Sequence, residues 1–293
     1  MNIGVVVTDP DDWTARALIR SIKKRGATPI PLILDKVTAY IDSPDIPGKS
    51  GVDFIIVRDI GAGAFEQVSF KFDLLKILAE EIPVINTPEA IRNAANKYYS
   101  LHLLRKSGLP VPKTVLTCEI DVTMDLLDEW GEIVIKPIFG YKGIGIKRLR
   151  SGPGSSIQNR DSIEKILSER GVLYLQEFIP MNRDIRAYVV GETVAGSIYR
   201  YAEAGWITNL SQSGRPERCV LDPAQEEASI RAAEAVGTTF AGVDIAETED
   251  GFVILEVNGT PSGKGIFEAC GVDVTGDIVD YATSNGRTLK MNM

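Results

Sequence analysis

Short apolar runs and amphipathic stretches alternate along the first third of the chain. Residues 3–7 are continuously apolar, the pattern of a strand buried on both faces. Asp11 and Asp12 then open an amphipathic stretch, with Trp13, Ala17, Leu18 and Ile22 on one side, that stops at Gly26. Glycine suits a helix C-cap because it tolerates the left-handed backbone found there. Residues 30–34 and 54–57 read as further strands, with a loop rich in Pro and Gly between them. A second helix ends over residues 74–81, and Pro83-Val84-Ile85 returns to the sheet. This alternation predicts a small parallel α/β unit.

Thr87-Pro88-Glu89 predicts a helix start, with Thr as N-cap and Pro at the first helical position. The helix is expected to run to Ser107 and end at Gly108, before Pro110 and Pro112. Beyond residue 113 strands dominate: residues 132–137, 145–149, 173–179, 185–190 and 193–201, with Gly191-Glu192 as a hairpin turn. Asp222-Pro223 opens a helix to Val236, and a final hairpin spans residues 242–257. Residues 151–156 read as a short flexible stretch, and no internal repeat is present. A length of 293 residues suggests about two domains. The order of elements points instead to three lobes and an α+β class: an α/β unit over 1–86, a central unit over 87–175 and a C-terminal unit over 176–293.

Composition narrows the chemistry. The chain is 44% hydrophobic and 25% charged, as soluble globular proteins are. Its 40 acidic residues outnumber 32 basic ones, and no basic run forms, so a nucleic-acid partner is not expected. Cys118, Cys219 and Cys270 are scattered and odd in number, which fits neither a disulfide framework nor a zinc site. His102 is the single histidine, which removes His-activated nucleophiles and multi-His metal centres. The N-terminus lacks a signal-peptide pattern, and no apolar run approaches the ~18 residues of a membrane span. A cytoplasmic protein without a membrane partner is expected.

Gly48-Lys49-Ser50 resembles the end of a P-loop, but Ser43 stands where its first Gly would be, so a surface loop is preferred. Gly61-Ala62-Gly63 follows a strand, yet Glu66 occupies the third Gly position of a dinucleotide fingerprint. Gly140-Tyr141-Lys142-Gly143-Ile144-Gly145 joins two strands; its amides could approach an anion, with Lys142 adding charge at the tip. A flexible hairpin explains the glycines equally well. Lys136, in an apolar strand, favours the anion because burying an ammonium without a partner is costly. Glu256 and Asn258 lie two apart on one strand and so share a face. A three-residue loop, Glu249-Asp250-Gly251, would set Asp244 opposite Glu256, whereas a two-residue Asp250-Gly251 turn would separate the carboxylates. Two carboxylates and an amide oxygen on one face suit Mg²⁺.

Taken together, these features resemble the RimK-like α-L-glutamate ligases of the ATP-grasp superfamily. The resemblance extends, in order, through Val57-Arg58-Asp59-Ile60-Gly61, Asn86-Thr87-Pro88-Glu89-Ala90-Ile91, Asn96-Lys97 and Gly108-Leu109-Pro110-Val111-Pro112. It continues through Ile135-Lys136-Pro137, Leu175-Gln176-Glu177-Phe178-Ile179, Arg183-Asp184-Ile185-Arg186, Arg200, Thr208-Asn209 and Glu256-Val257-Asn258. It implies an ATP-grasp fold with an N-terminal parallel α/β domain. Lys97 and Lys136 would meet the ATP phosphates, with Gly143 of the glycine loop beside them. Gln176, Glu177, Phe178 and Ile179 would line the adenine edge, and Asp184 would accept from ribose hydroxyls. Ile207, Thr208 and Asn209 would lie near nucleotide and metal. Asp244, Glu256 and Asn258 would hold Mg²⁺ or Mn²⁺, and Lys142, Arg186 and Arg200 would neutralise charge in catalysis. Asn96 replaces the Asp common before the first lysine, and Ser211-Gln212-Ser213-Gly214-Arg215 replaces a Gly-Gly segment facing the acceptor.

The implied reaction activates a carboxylate as an acylphosphate for attack by the amine of L-glutamate, and needs no enzyme nucleophile. Within the family the chain looks most like the archaeal enzymes that glutamylate tetrahydromethanopterin or a deazaflavin coenzyme. The alternatives are a ligase modifying a protein C-terminus or an amino-group carrier protein, and a non-catalytic ATP-binding regulator. A homo-oligomer is expected. Arg58 is the candidate grip for the acceptor carboxylate, helped by Arg186, Arg200 and Arg215; pairing with Asp53 or Asp59 is the plainer reading.

Overall fold

The computed structural model describes residues 1–41, 50–140, 143–201 and 216–291. Strand β1 (Asn2–Val6), helix α1 (Trp13–Lys24), β2 (Thr28–Leu32), β3 (Phe54–Val57), α2 (Phe65–Ala79) and β4 (Val84–Ile85) build the N-terminal lobe. Its parallel sheet has the order β2-β1-β3-β4. The central strands are apolar on both faces because each face has its own helix. Ile3, Val5, Phe54 and Ile56 pack with Leu18 and Ile22 of α1, whereas Val6, Ile55 and Val57 meet Leu74, Leu75 and Leu78 of α2. Asp12 caps α1, accepting from the Thr14 and Ala15 amides at 3.1 and 3.2 Å.

The single helix predicted from Thr87 to Ser107 is two: α3 (Pro88–Ala95) and α4 (Lys97–Lys106). Asn96 stands between them in an extended conformation (φ −86°, ψ 98°), and its side chain accepts from the Tyr99 amide at 3.0 Å to cap α4. Asn and Asp cap equally well, so the departure from the family's Asp keeps the helix start.

The middle lobe contains β5 (Thr114–Thr117), α5 (Ile120–Trp130), β6 (Glu132–Lys136), β7 (Lys147–Arg150), α6 (Ser156–Arg170) and β8 (Leu173–Glu177). Its antiparallel sheet runs β5-β8-β6-β7. Ile133, Ile135, Leu173 and Leu175 cover one face with Leu127 of α5 and Ile163 of α6. The predicted boundary between residues 175 and 176 would cut β8, so the middle unit extends through Glu177. The expected flexible stretch at 151–156 is the turn into α6, where the Ser155 hydroxyl donates to Gly152 O at 2.8 Å.

The C-terminal lobe comprises β9 (Arg183–Val190), β10 (Thr193–Tyr201), β11 (Pro216–Arg218), α7 (Pro223–Val236), β12 (Phe240–Thr248) and β13 (Gly251–Asn258). Helices α8 (Lys264–Cys270) and α9 (Val274–Met291) follow. The five-stranded antiparallel sheet has the order β11-β10-β9-β12-β13. One face (Ile185, Ala187, Val189, Val243, Ile245, Val257) buries against Ala232, Ala233 and Val236 of α7 and Leu101 and Leu104 of α4. The helices after the predicted boundary at 86 therefore pack on the C-terminal sheet. At one end of the opposite face, Tyr188 and Ile198 join the N-terminal core with Ile278 and Val279 of α9. Asn86, fully buried, binds the lobes together: its amide donates to Phe240 O and Gly259 O, each at 2.7 Å, and accepts from the Thr239 amide at 2.6 Å. Among the described residues no helix is long and apolar enough to cross a membrane.

Candidate active site

The second face of the C-terminal sheet carries charge because its strands alternate. Asp184 and Arg186 lie two apart on β9; Arg200 pairs with Asp184 across β10, and Asp244 pairs with Arg186 across β12. Residues directly opposite in an antiparallel ladder share a face. Arg200 donates to both oxygens of Asp184, at 2.7 and 2.5 Å, and reaches Asp244 at 2.9 Å. Arg186 forks onto Asp244 through Nε and Nη2, the latter at 2.9 Å. Gly242 makes room for that fork, since a Cβ there would lie 2.8 Å from Arg186 Nη1. Burial alone would push the Asp244 carboxyl up; Arg186 and Arg200 outweigh it and hold Asp244 well below the usual carboxylate range.

The middle sheet presents a different surface. Lys136 and Gln176 emerge on the face opposite Ile135 and Leu175, and the Lys136 ammonium donates to Gln176 Oε1 at 2.5 Å. Gln176 donates in turn to Thr114 Oγ1 and Tyr174 Oη, both at 3.2 Å. Lys136 therefore rests on a neutral amide. Desolvation lowers its pKa to about 8, with Glu256 and Asp244 pulling upward and Lys97 pushing down. Lys97, the first residue of α4, donates to Glu256 Oε1 at 2.7 Å and to Gly140 O of the glycine loop at 3.1 Å.

Glu256 faces Asp244, but neither predicted turn produces that register. The loop is Glu249-Asp250, flanked by the pair Thr248 and Gly251. Continued regularly, this ladder would oppose Asp244 to Leu255. A bulge restores the register: Ile245 pairs with Ile254, whereas Asp244 pairs with Glu256, so Leu255 is the extra residue. The buried positions of β13, Ile254 and Val257, are consequently three apart instead of two. Asn258 Oδ1 accepts from the Thr260 amide at 3.0 Å. Among the described residues no three His, Cys, Asp or Glu side chains cluster to hold a metal. An oxygen set at this place needs the Asn258 amide beside the two carboxylates.

The RimK-like ATP-grasp domain matches residues 94–282, most of the chain. The chain belongs to the RimK-like ATP-grasp family. Tetrahydromethanopterin:alpha-L-glutamate ligase of Methanosarcina acetivorans is 47% identical over 321 aligned positions, covering 95% of this chain and 98% of the relative. The enzyme of that name from Methanococcus maripaludis is 33% identical, covering 96% and 98%. Among solved structures, the ATP-grasp ligase PsnB with a phosphomimetic precursor variant, Mg and ADP superposes with TM-score 0.76 at 22% identity, covering 97% of this chain and 98% of that one.

Set in the ATP-grasp fold, the expected site residues fall into three groups. Lys97, Lys136, Gln176, Asp184, Arg186, Arg200, Asp244 and Glu256 border the space between the middle and C-terminal sheets, with Asn258 at its edge. Glu177, Phe178 and Ile179 leave β8 as the link between those sheets; the Glu177 and Phe178 amides are committed to Lys113 O and Glu132 O, and Ile179 is the first beyond them. Gly143 has a positive φ of 71°. Lys142, Ile207, Thr208, Asn209 and Arg215 lie outside the described residues, as do residues 48 and 49 of the P-loop-like segment. Two expectations need correction. Asp184 is 4% exposed with both oxygens engaged by Arg200, so a ribose hydroxyl would compete with that pair. Arg58 pairs with neither Asp53 nor Asp59: its Nε donates to Asp12 at 2.8 Å and Nη1 to Thr260 O at 3.3 Å. The sequence reading also missed Arg148, whose guanidinium stacks 3.4 Å from the Phe178 ring centroid and pairs with Glu132. Its alternation with Leu149 on β7 was the available signal.

Proposed function

We propose that this chain is an ATP-dependent ligase that joins L-glutamate to tetrahydromethanopterin. One observation carries the reading: Lys97, Lys136 and the Asp244–Glu256 pair converge between two sheets in a chain 47% identical, over nearly its whole length, to a tetrahydromethanopterin:alpha-L-glutamate ligase. Lys136, resting on a neutral amide, is placed for a phosphate oxygen. Lys97 approaches the same space from α4 and ties the glycine loop, with Gly143, to it. The sheet link at Glu177, Phe178 and Ile179 is the adenine edge, beside Gln176. Asp184, with both oxygens on Arg200, serves to hold that guanidinium, and Ile207, Thr208 and Asn209 are the nucleotide contacts in sequence beyond β10.

Asp244, Glu256 and Asn258 offer only hard oxygen donors on one face, which fits Mg²⁺ or Mn²⁺. Held there, such an ion would neutralise negative charge on ATP phosphates. Arg186 and Arg200, prepositioned by Asp244 and Asp184, hold positive charge for the acylphosphate and the later oxyanion. An acceptor carboxylate oxygen attacks the γ-phosphorus and the bond to ADP breaks. The glutamate amine then attacks the acyl carbon, phosphate leaves, and the amine loses a proton. The protein contributes orientation and fixed charge, consistent with a chain whose one histidine is not in the site.

Incubation of the purified protein with ATP, Mg²⁺, L-glutamate and tetrahydromethanopterin tests this. ADP, phosphate and a pterin heavier by one glutamyl residue are expected. Glutamate-dependent ADP release without that product would reject the acceptor, and protein tails and carrier proteins would then be screened.

A further inference from the structure

The loop after Asn258 is held by the N-terminal lobe at three points. Asn86 Nδ2 donates to Gly259 O at 2.7 Å, Arg58 Nη1 to Thr260 O at 3.3 Å, and Thr14 Oγ1 lies 3.0 Å from Ser262 Oγ. Arg58 is the mobile kind of anchor, yet its side chain is only 13% exposed. Asp12, which caps α1, fixes it through Nε at 2.8 Å. The contact reaches the active site in two further steps. Arg58 holds the Thr260 carbonyl, and the Thr260 amide donates to Asn258 Oδ1 at 3.0 Å. That bond fixes the rotation of the Asn258 amide, because only the oxygen can accept it. One lone pair of Oδ1 is thereby used, and the other stays available to a cation.

We propose that Arg58 is a positioning residue for Asn258: held by Asp12 in the N-terminal lobe, it fixes the Thr260 segment and so aims the Asn258 oxygen at the metal position. This rests on the reading of Asn258 as a metal ligand. It assigns Arg58 a task other than gripping the acceptor, and gives the N-terminal lobe a share in the metal site, although it contributes no ligand. Partners of this kind, one step behind a ligand, commonly set metal affinity by orienting it.

The test measures Mn²⁺ binding to the full chain with saturating ADP, by electron paramagnetic resonance, beside ADP binding in EDTA. Arg58→Ala is expected to weaken Mn²⁺ binding about tenfold while metal-free ADP affinity is retained. Asp12→Asn keeps the helix cap but loosens Arg58, and should give a smaller loss in the same direction. Arg58→Lys should recover part of the affinity. If Arg58→Ala does not fold, the other two variants carry the same comparison. Unchanged Mn²⁺ affinity in the folded variants overturns the proposal, and a raised KM for tetrahydromethanopterin would then return Arg58 to the acceptor. Absence of Mn²⁺ binding in the wild type with ADP would reject the metal site itself, and this proposal with it.

Discussion

The two sheets that border the cleft solve the burial of charge in opposite ways. The C-terminal sheet pairs two carboxylates with two guanidiniums, all but Arg186 buried: Asp184, Arg186, Arg200 and Asp244 form one connected network. The middle sheet places a single ammonium, Lys136, on a surface of neutral groups, Gln176 backed by Thr114 and Tyr174. The first surface balances its own charges. The second bears the cost of a desolvated cation that an anionic ligand would relieve. On the proposed function, charge on the C-terminal side serves structure as well as chemistry, whereas Lys136 is there for the ligand.

Removing a cation from each side should break or sharpen this contrast. Arg200→Met removes the guanidinium that Asp184 and Asp244 share in a buried setting, and thermal or urea unfolding should show a loss of about 3–5 kcal/mol. Stability within 1 kcal/mol of wild type would mean the network is not the structural element described. Lys136→Met should leave unfolding almost unchanged, since the side chain it removes is poorly solvated in the fold. ATP affinity, read by calorimetry, should instead fall by about 1.5–3 kcal/mol, the range for hydrogen bonds to charged groups. A large stability loss without a change in affinity would reverse the two roles.

The smallest effect is a pH signature of the middle sheet. The Lys136 pKa is about 8 in the folded protein and ~10.4 unfolded, so between these values the unfolded chain binds the extra proton. Stability from this group accordingly rises across that window, and its charge penalty is present in full only below it. A bound phosphate raises the folded pKa again. Nucleotide binding at pH 8.5 should therefore take up a fraction of a proton, and affinity should weaken as pH rises above 8. Calorimetry in buffers of different ionisation enthalpy reads the uptake, and Lys136→Met should abolish it.

Much of the site was legible in the chain because strands alternate. Asp184 and Arg186 two apart, Glu256 and Asn258 two apart, and Lys136 beside Ile135 all declare a polar face backed by an apolar one. Helices α5 and α6 were missed although Ile120, Met124, Leu127 and Trp130 of α5 and Ile163, Ile166 and Leu167 of α6 recur at helical spacing and join the middle-lobe core. The break at Asn96 was missed because an Asn flanked by good helix formers reads as continuous helix until its side chain caps the next turn. The partner of Arg58 was missed because Asp12 is 46 residues away, while Asp53 and Asp59 are near in sequence.

By itself, the sequence determined the parallel α/β unit at the start, the apolar cores of the strands, the family motifs and their order. Local patterns carry those features, since periodicity and capping act within a few residues. Only the tertiary structure decided the register of the last hairpin, the pairing of Arg200 with two carboxylates, and the hold of Arg58 on the loop after Asn258. A bulge at Leu255 moves the following side chains to the other face, and a two-residue loop gives no hint of it. The ion pairs depend on which strands become neighbours, and that is settled when the lobes pack against one another.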